Sequence, residues 1–234
     1  MENQTLKLYG LSQQEVEQEL KDIIEKYKDS CKIKIKEKYL DISLDISSES
    51  SDNTNAVIKQ IFDKLSKYIY SESNQTLYER LADLLIVRNK KLCLMEQATG
   101  GVITANLMAI DDADKHIISS TVLPSTESWL TTFDIDPRLL RENKGISSKL
   151  VFSIASSLRG KILADYYIVA LSSDAIGLDV YTIGENRVEE NSLIAIGDNT
   201  GVEIYKHVLS GSKRDRMNQT AKFICSKLIF ELKK

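Results

Sequence analysis

The sequence is poor in the residues that build metal sites and disulfide frameworks. Its 234 residues hold two histidines, His116 and His207, and three cysteines, Cys31, Cys93 and Cys225. A zinc site needs clustered Cys and His ligands, and a disulfide framework needs paired cysteines at short spacing. An odd, scattered set suits neither, so no metal and no cofactor is implied. Long apolar runs are missing too. None approaches the ~18 residues of a membrane span, and the opening "MENQTLKLYG" lacks the basic and apolar regions of a secretory signal. Neither sign of charge dominates: 31 Lys and Arg stand against 34 Asp and Glu, a net charge of −3. No global basic field therefore points to nucleic acid. The expectation is a reduced, cytoplasmic protein without membrane contact.

What is present reads as a globular protein, 42% hydrophobic and 28% charged. "TLKLYG" reads as a strand. "LSQQEVEQELKDIIEKYK" reads as a helix in which Ser12 and Glu15 form a capping box. "CKIKIKEK" and "YLDISLDIS" alternate as strands, with Leu40, Ile42, Leu44 and Ile46 on one side. "SSESSDNTN" reads as a polar turn, and "AVIKQIFDKLSKYIY" as a second amphipathic helix through Val57, Ile61 and Leu65. This order makes a small α+β module. The polar stretch "SESNQT", residues 71–76, is the expected linker.

Beyond it, Thr76 and Glu79 cap the helix "LYERLADLLIVRN", and the apolar "KLCLM" suits a central strand. "ATGGVITANLMAI" reads as a glycine-initiated helix and "HIISSTVLP" as a strand stopped by Pro124. Two short helices follow, then a longer one capped by Ser147, then the strand "DYYIVALSS". Residues 173–190 read as a long loop. "NSLIAIGDNTGVEIYKHVL" reads as a hairpin turning at "DNTG", and the last 20 residues as an amphipathic helix. Alternating strand and helix predict a largely parallel, helix-covered sheet, whose ligands bind at the carboxyl ends of strands. "EQATGG", residues 96–101, lies at such an end.

The stretches "MEQATGG", "ISSKLVFSIASSLRGKILAD" and "NTGVEIYKHVLSGSKRD", with "LKLYGLSQQEVEQEL" and "IYSESNQTLYERLADLL" before them, resemble the two C-terminal parts of the CinA family, the competence-damage-inducible proteins. The resemblance implies a small α+β KH-type linker module over residues 1–74. It implies over residues 75–234 a three-layer α/β/α domain with a mostly parallel sheet. In active members that domain is a nicotinamide-nucleotide amidase. The molybdopterin-binding-like domain that usually precedes these parts is expected to be absent, and a homodimer is the expected assembly.

Active members carry Glu-Ser-Cys-Thr-Gly-Gly, whose serine is the nucleophile. By this resemblance Gln97 stands at the serine, Ala98 at the cysteine, Pro124 at a tyrosine that ends the next strand, and Trp129 at the lysine base. "VALSSDA" replaces a Thr-Gly-containing substrate loop, and in the Gly-x-Arg stretch Gly211 and Ser212 lead into Lys213. A glutamine amide forms no acyl-enzyme, proline has no side-chain donor or acceptor, and an indole only donates. The implied reading is a catalytically inactive amidase-like protein with no catalytic residues, kept for binding, regulation or assembly.

The alternative is a working amidase with relocated groups. Ser119, Ser120, Ser125, Lys115, Lys144 and Lys149 are its candidates, or else ordinary strand-end and surface residues. Thr99, Gly100 and Gly101 are the candidate ligand-binding residues. They either cradle a nucleotide phosphate or make a tight turn that needs no ligand. Glu96 either orients a ligand hydroxyl or bonds nearby backbone. Trp129 either stacks on a ring or fills the core. RNA is disfavoured, because KH-type binding uses a GXXG loop and residues 1–75 hold one glycine, Gly10. The lysines of "KIKIKEK" read as guards of a strand edge.

Overall fold

The computed structural model describes residues 2–142, 146–172 and 191–234. The loop expected over 173–190 and the candidate Lys144 lie outside them. The chain divides into two compact units, Met1–Arg80 and Leu81–Lys234. Among the described residues no helix is long and apolar enough to cross a membrane.

The first unit contains β1 (Glu2–Tyr9), α1 (Gln13–Glu19), α2 (Lys21–Tyr27), β2 (Cys31–Lys38), β3 (Asp41–Ser48), α3 (Ser51–Leu65) and β4 (Ile69–Ser71). Its antiparallel sheet runs in the order β2-β3-β1-β4. Period-two alternation on β3 sends Ile42, Leu44 and Ile46 inward, where they meet Leu6 and Leu8 of β1. Val16, Ile23, Val57, Ile61 and Leu65 close the core from the helices. The Ser12–Glu15 capping box forms as expected.

Four local expectations change. The first helix breaks at Leu20, whose φ of −98° and ψ of 2° separate α1 from α2. Leu40 does not join the inward row: it sits at φ 59° in the β2–β3 turn and is 38% exposed. The polar run read as a turn supplies the first residues of α3, because Ser, Asp and Asn suit a helix start as well as a loop. Ile69 and Tyr70, read as the end of that helix, and Ser71, read as the start of the linker, form the edge strand β4, paired to β1 through Leu8 and Ile69.

α4 (Leu77–Val87) runs across the division, and in the second unit it leads to β5 (Leu92–Glu96), α5 (Val102–Leu107), β6 (Ile117–Thr121), α6 (Thr126–Phe133), α7 (Arg138–Glu142) and α8 (Ser148–Lys161). Then come β7 (Tyr166–Ser172), β8 (Asn191–Gly197), β9 (Val202–Val208) and α9 (Lys213–Leu232). The sheet order is β6-β5-β7-β8-β9. β5 pairs in parallel with β6 and β7, while β7–β8 and β8–β9 are antiparallel. The sheet is therefore mixed rather than mostly parallel, because the "DNTG" hairpin joins it beside β7.

Alternate strand residues divide between two faces. Cys93, Met95, Tyr167, Val169 and Leu171 share a core with α6 and α8 through Trp129, Leu150, Val151 and Ile154. Leu92, Leu94, Ile168 and Ala170 alternate with them, are also fully buried, and so point to the opposite face. The three-layer arrangement expected for this domain follows.

Candidate functional site at the β5 strand end

β5 ends on Glu96, and residues 97–101 turn the chain into α5. The turn is tied to the next strand, since the Ala98 N–H donates to the Ala170 carbonyl at 2.8 Å. Within the turn, the Gly100 N–H reaches the Gln97 carbonyl at 3.3 Å and the Val102 N–H reaches that of Thr99 at 3.2 Å. Gly100 has φ +59° and Gly101 φ +87°, conformations that L side chains adopt at a cost. Space restricts them as well. A Cβ on Gly100 would run into Cε of Met217 from α9, and one on Gly101 would lie 3.2 Å from Val122.

Glu96 is fully buried. Its Oε2 accepts the Thr99 hydroxyl at 2.6 Å and the Ile103 N–H at 3.0 Å. Its Oε1 accepts the Thr104 N–H at 2.9 Å and the Thr104 hydroxyl. These bonds fill the roughly four acceptor positions of a carboxylate. Glu96 thus bonds nearby backbone, taking up first-turn N–H groups of α5. The Thr104 and Ser120 hydroxyls are 2.6 Å apart, which extends the network to β6.

Gln97 turns its amide oxygen to the end of β7, where it accepts the Ser172 N–H at 2.7 Å. Ala98 is buried. Thr99 is fully buried and its hydroxyl is spent on Glu96. Gly100 is exposed and Gly101 half-buried, so these two form the reachable part of the candidate ligand residues. Pro124 is exposed, whereas Trp129 is fully buried in the α6–α8 core with its indole N–H on the Leu123 carbonyl at 2.7 Å. Of the two roles open to Trp129, the core one is realised.

The remaining candidates have local duties. Ser125 caps α6 by accepting from the Ser128 N–H, Lys115 pairs with Asp112, and Lys149 is exposed at the start of α8. Ser119 bonds Cys93 and lowers its pKa slightly, but burial wins and holds that thiol at about 11. Burial and the nearby Glu96 charge push the Cys225 thiol up as well. Neither cysteine offers a thiolate near neutral pH. Gly211 takes φ +90°, Ser212 and Asp215 form the capping box of α9, and Lys213 is exposed.

Sequence reasoning did not find Thr104, Ser172 or Met217. Thr104 had a usable signal, since a first-turn N–H of α5 needed a side-chain acceptor. Ser172 and Met217 come from elements remote in sequence and left none.

Residues 74–230 match the CinA C-terminal domain family. A CinA-like protein of Petrotoga mobilis is 28% identical over 171 residues, covering 73% of this chain and 41% of that protein. A CinA-like protein of Dictyoglomus turgidum is 25% identical over 179 residues, covering 74% of this chain and 43% of that one. The chain thus spans less than half the length of these two relatives. In fold it is similar to the crystal structure of a competence or damage-inducible protein from Enterobacter asburiae. The TM-score is 0.58 at 23% identity, over 68% of this chain and 99% of that one. With more than half of its residues matched, the chain belongs to the CinA family through its C-terminal domain.

Proposed function

We propose that the second unit is a catalytically silent member of this family, kept as a scaffold for binding, regulation or assembly. The observation that carries the reading is Gln97. It stands where the resemblance puts the nucleophile, and its amide oxygen is fixed on the Ser172 N–H. Covalent amide hydrolysis needs a nucleophile and a base to activate it. The positions that resemble the family's tyrosine and lysine hold an exposed proline and a buried indole. Any nucleotide that still binds does so on the backbone of Gly100 and Gly101, since Glu96 and Thr99 are committed to each other. A homodimer is part of the proposal, tested by light scattering of the full chain.

Incubation with nicotinamide mononucleotide and an ammonia assay tests the silent reading; no release above a protein-free blank is expected. One observation favours a second reading, a hydrolase with relocated groups: the Ser120 hydroxyl is linked through Thr104 to Glu96. Steady ammonia release that disappears in Ser120→Ala would establish it instead. Calorimetry with the same nucleotide tests the binding role, and no heat at millimolar ligand argues against it.

A further inference from the structure

His207 Nδ1 is a buried nitrogen with no hydrogen-bond partner. Its ring stacks on Phe223 of α9, with centroids 4.6 Å apart and planes 21° from parallel. It sits on β9, an edge strand of its sheet, opposite Ser192 of β8. A buried polar atom without a partner is uncommon and calls for an explanation. The neutral imidazole can leave one lone pair unused at modest cost. The protonated ring carries N–H on both nitrogens, so Nδ1 becomes a buried donor with nothing to accept it.

The helix on which the ring rests also reaches the β5 strand end. Met217 covers Gly100, Thr220 lies 3.4 Å from the Ser192 hydroxyl, and Phe223 carries the stack. Thr220, three residues from each of the other two, neighbours both Met217 and Phe223 on the helix surface, while those two lie about 120° apart around the axis. We propose that His207 is a proton-operated latch on the seat of α9: protonation opens the stack on Phe223 and loosens the first half of the helix, which carries Met217 over Gly100.

No charged group around the ring bonds Nδ1. From α9, Lys227 lies over the Phe223 ring and the Glu231 carboxylate acts on the neighbouring Tyr205. The Lys227 ammonium lies 5.4 Å from the Phe223 ring centroid and 4.9 Å from that of Tyr205. On β9 the same face carries Tyr205 and Glu203, which bond to each other. Across the ladder Ser192 does not titrate. Burial accordingly lowers the pKa of His207 below 6.5. For a base with a depressed folded value, the stabilisation is fully present above the unfolded value of ~6.5 and is lost as pH falls below it.

Amide hydrogen exchange on the full chain, at pH 7.5 and pH 5.5 and corrected for intrinsic rates, tests the latch. β9 and the first half of α9 are expected to lose protection at the lower pH relative to β1 and β3 of the first unit. In His207→Phe, which keeps the stack without titrating, that loss is expected to vanish. Equal protection at both pH values in the wild type, or the same loss in His207→Phe, overturns the proposal. If His207→Phe does not fold, the imidazole resonances of the wild type decide, with His116→Gln to assign them. A ring titrating at or above 6.5 also overturns it.

Discussion

Removing the Glu96 carboxylate tests whether it is a structural cap or a ligand group. In Glu96→Ala the buried N–H of Ile103 and the N–H of Thr104 lose their acceptor, and the Thr99 hydroxyl loses its partner. The Thr104 hydroxyl keeps Ser120. An unsatisfied buried donor costs about 1–3 kcal/mol, so the substitution is expected to cost about 4 kcal/mol. For a unit of this size that lowers the melting temperature by ~10 °C. Glu96→Gln keeps the shape and one acceptor oxygen but turns an amide N–H toward backbone donors; about 2 kcal/mol is expected. The assay is urea denaturation followed by tryptophan fluorescence. Trp129 is the chain's one tryptophan and lies fully buried in the second unit, so the signal reports that unit alone. A loss below ~1 kcal/mol in Glu96→Ala would refute the reasoning, because a carboxylate so easily spared is not holding the turn.

Two further substitutions probe the strand-end turn and the start of α4. Gly100→Ala is expected to cost at least about 1–2 kcal/mol from its positive φ alone. The Met217 contact involves only the tip of a flexible side chain that can swing aside, so the penalty should change little in a Met217→Ala background, as a double-mutant cycle would read. Thr76→Ala removes the hydroxyl that accepts the Glu79 N–H at 3.2 Å, and about 1 kcal/mol should be lost in denaturation followed by circular dichroism.

Local chemistry was the legible part of the sequence. The capping boxes Ser12–Glu15 and Thr76–Glu79 and the hairpin at "DNTG" are set by residues within four positions, and each forms. β4 was not legible, because three residues after a helix are too few to carry a period of their own and gain strand character only by pairing with β1. The parallel–antiparallel balance of the second sheet was hidden for a similar reason. A hairpin signal says that two strands pair, but not which larger sheet they extend. At the strand end, "TGG" read as a phosphate cradle or a tight turn, and the structure turns there with Gly100 and Gly101 at positive φ. The fate of Glu96 was undecided from sequence, since its partners Ile103 and Thr104 become neighbours only once α5 folds back over β5. Met217 above Gly100 depended on packing across more than a hundred residues.

The most direct test of the silent-amidase reading is a proton NMR time course of nicotinamide mononucleotide with the full chain. One sample reads both binding and turnover. Unchanged ligand resonances over the course are predicted, with broadening or shifts only where the nucleotide meets the Gly100–Gly101 turn. Growth of the resonances of the deamidated acid, at a rate proportional to protein concentration, would contradict the account.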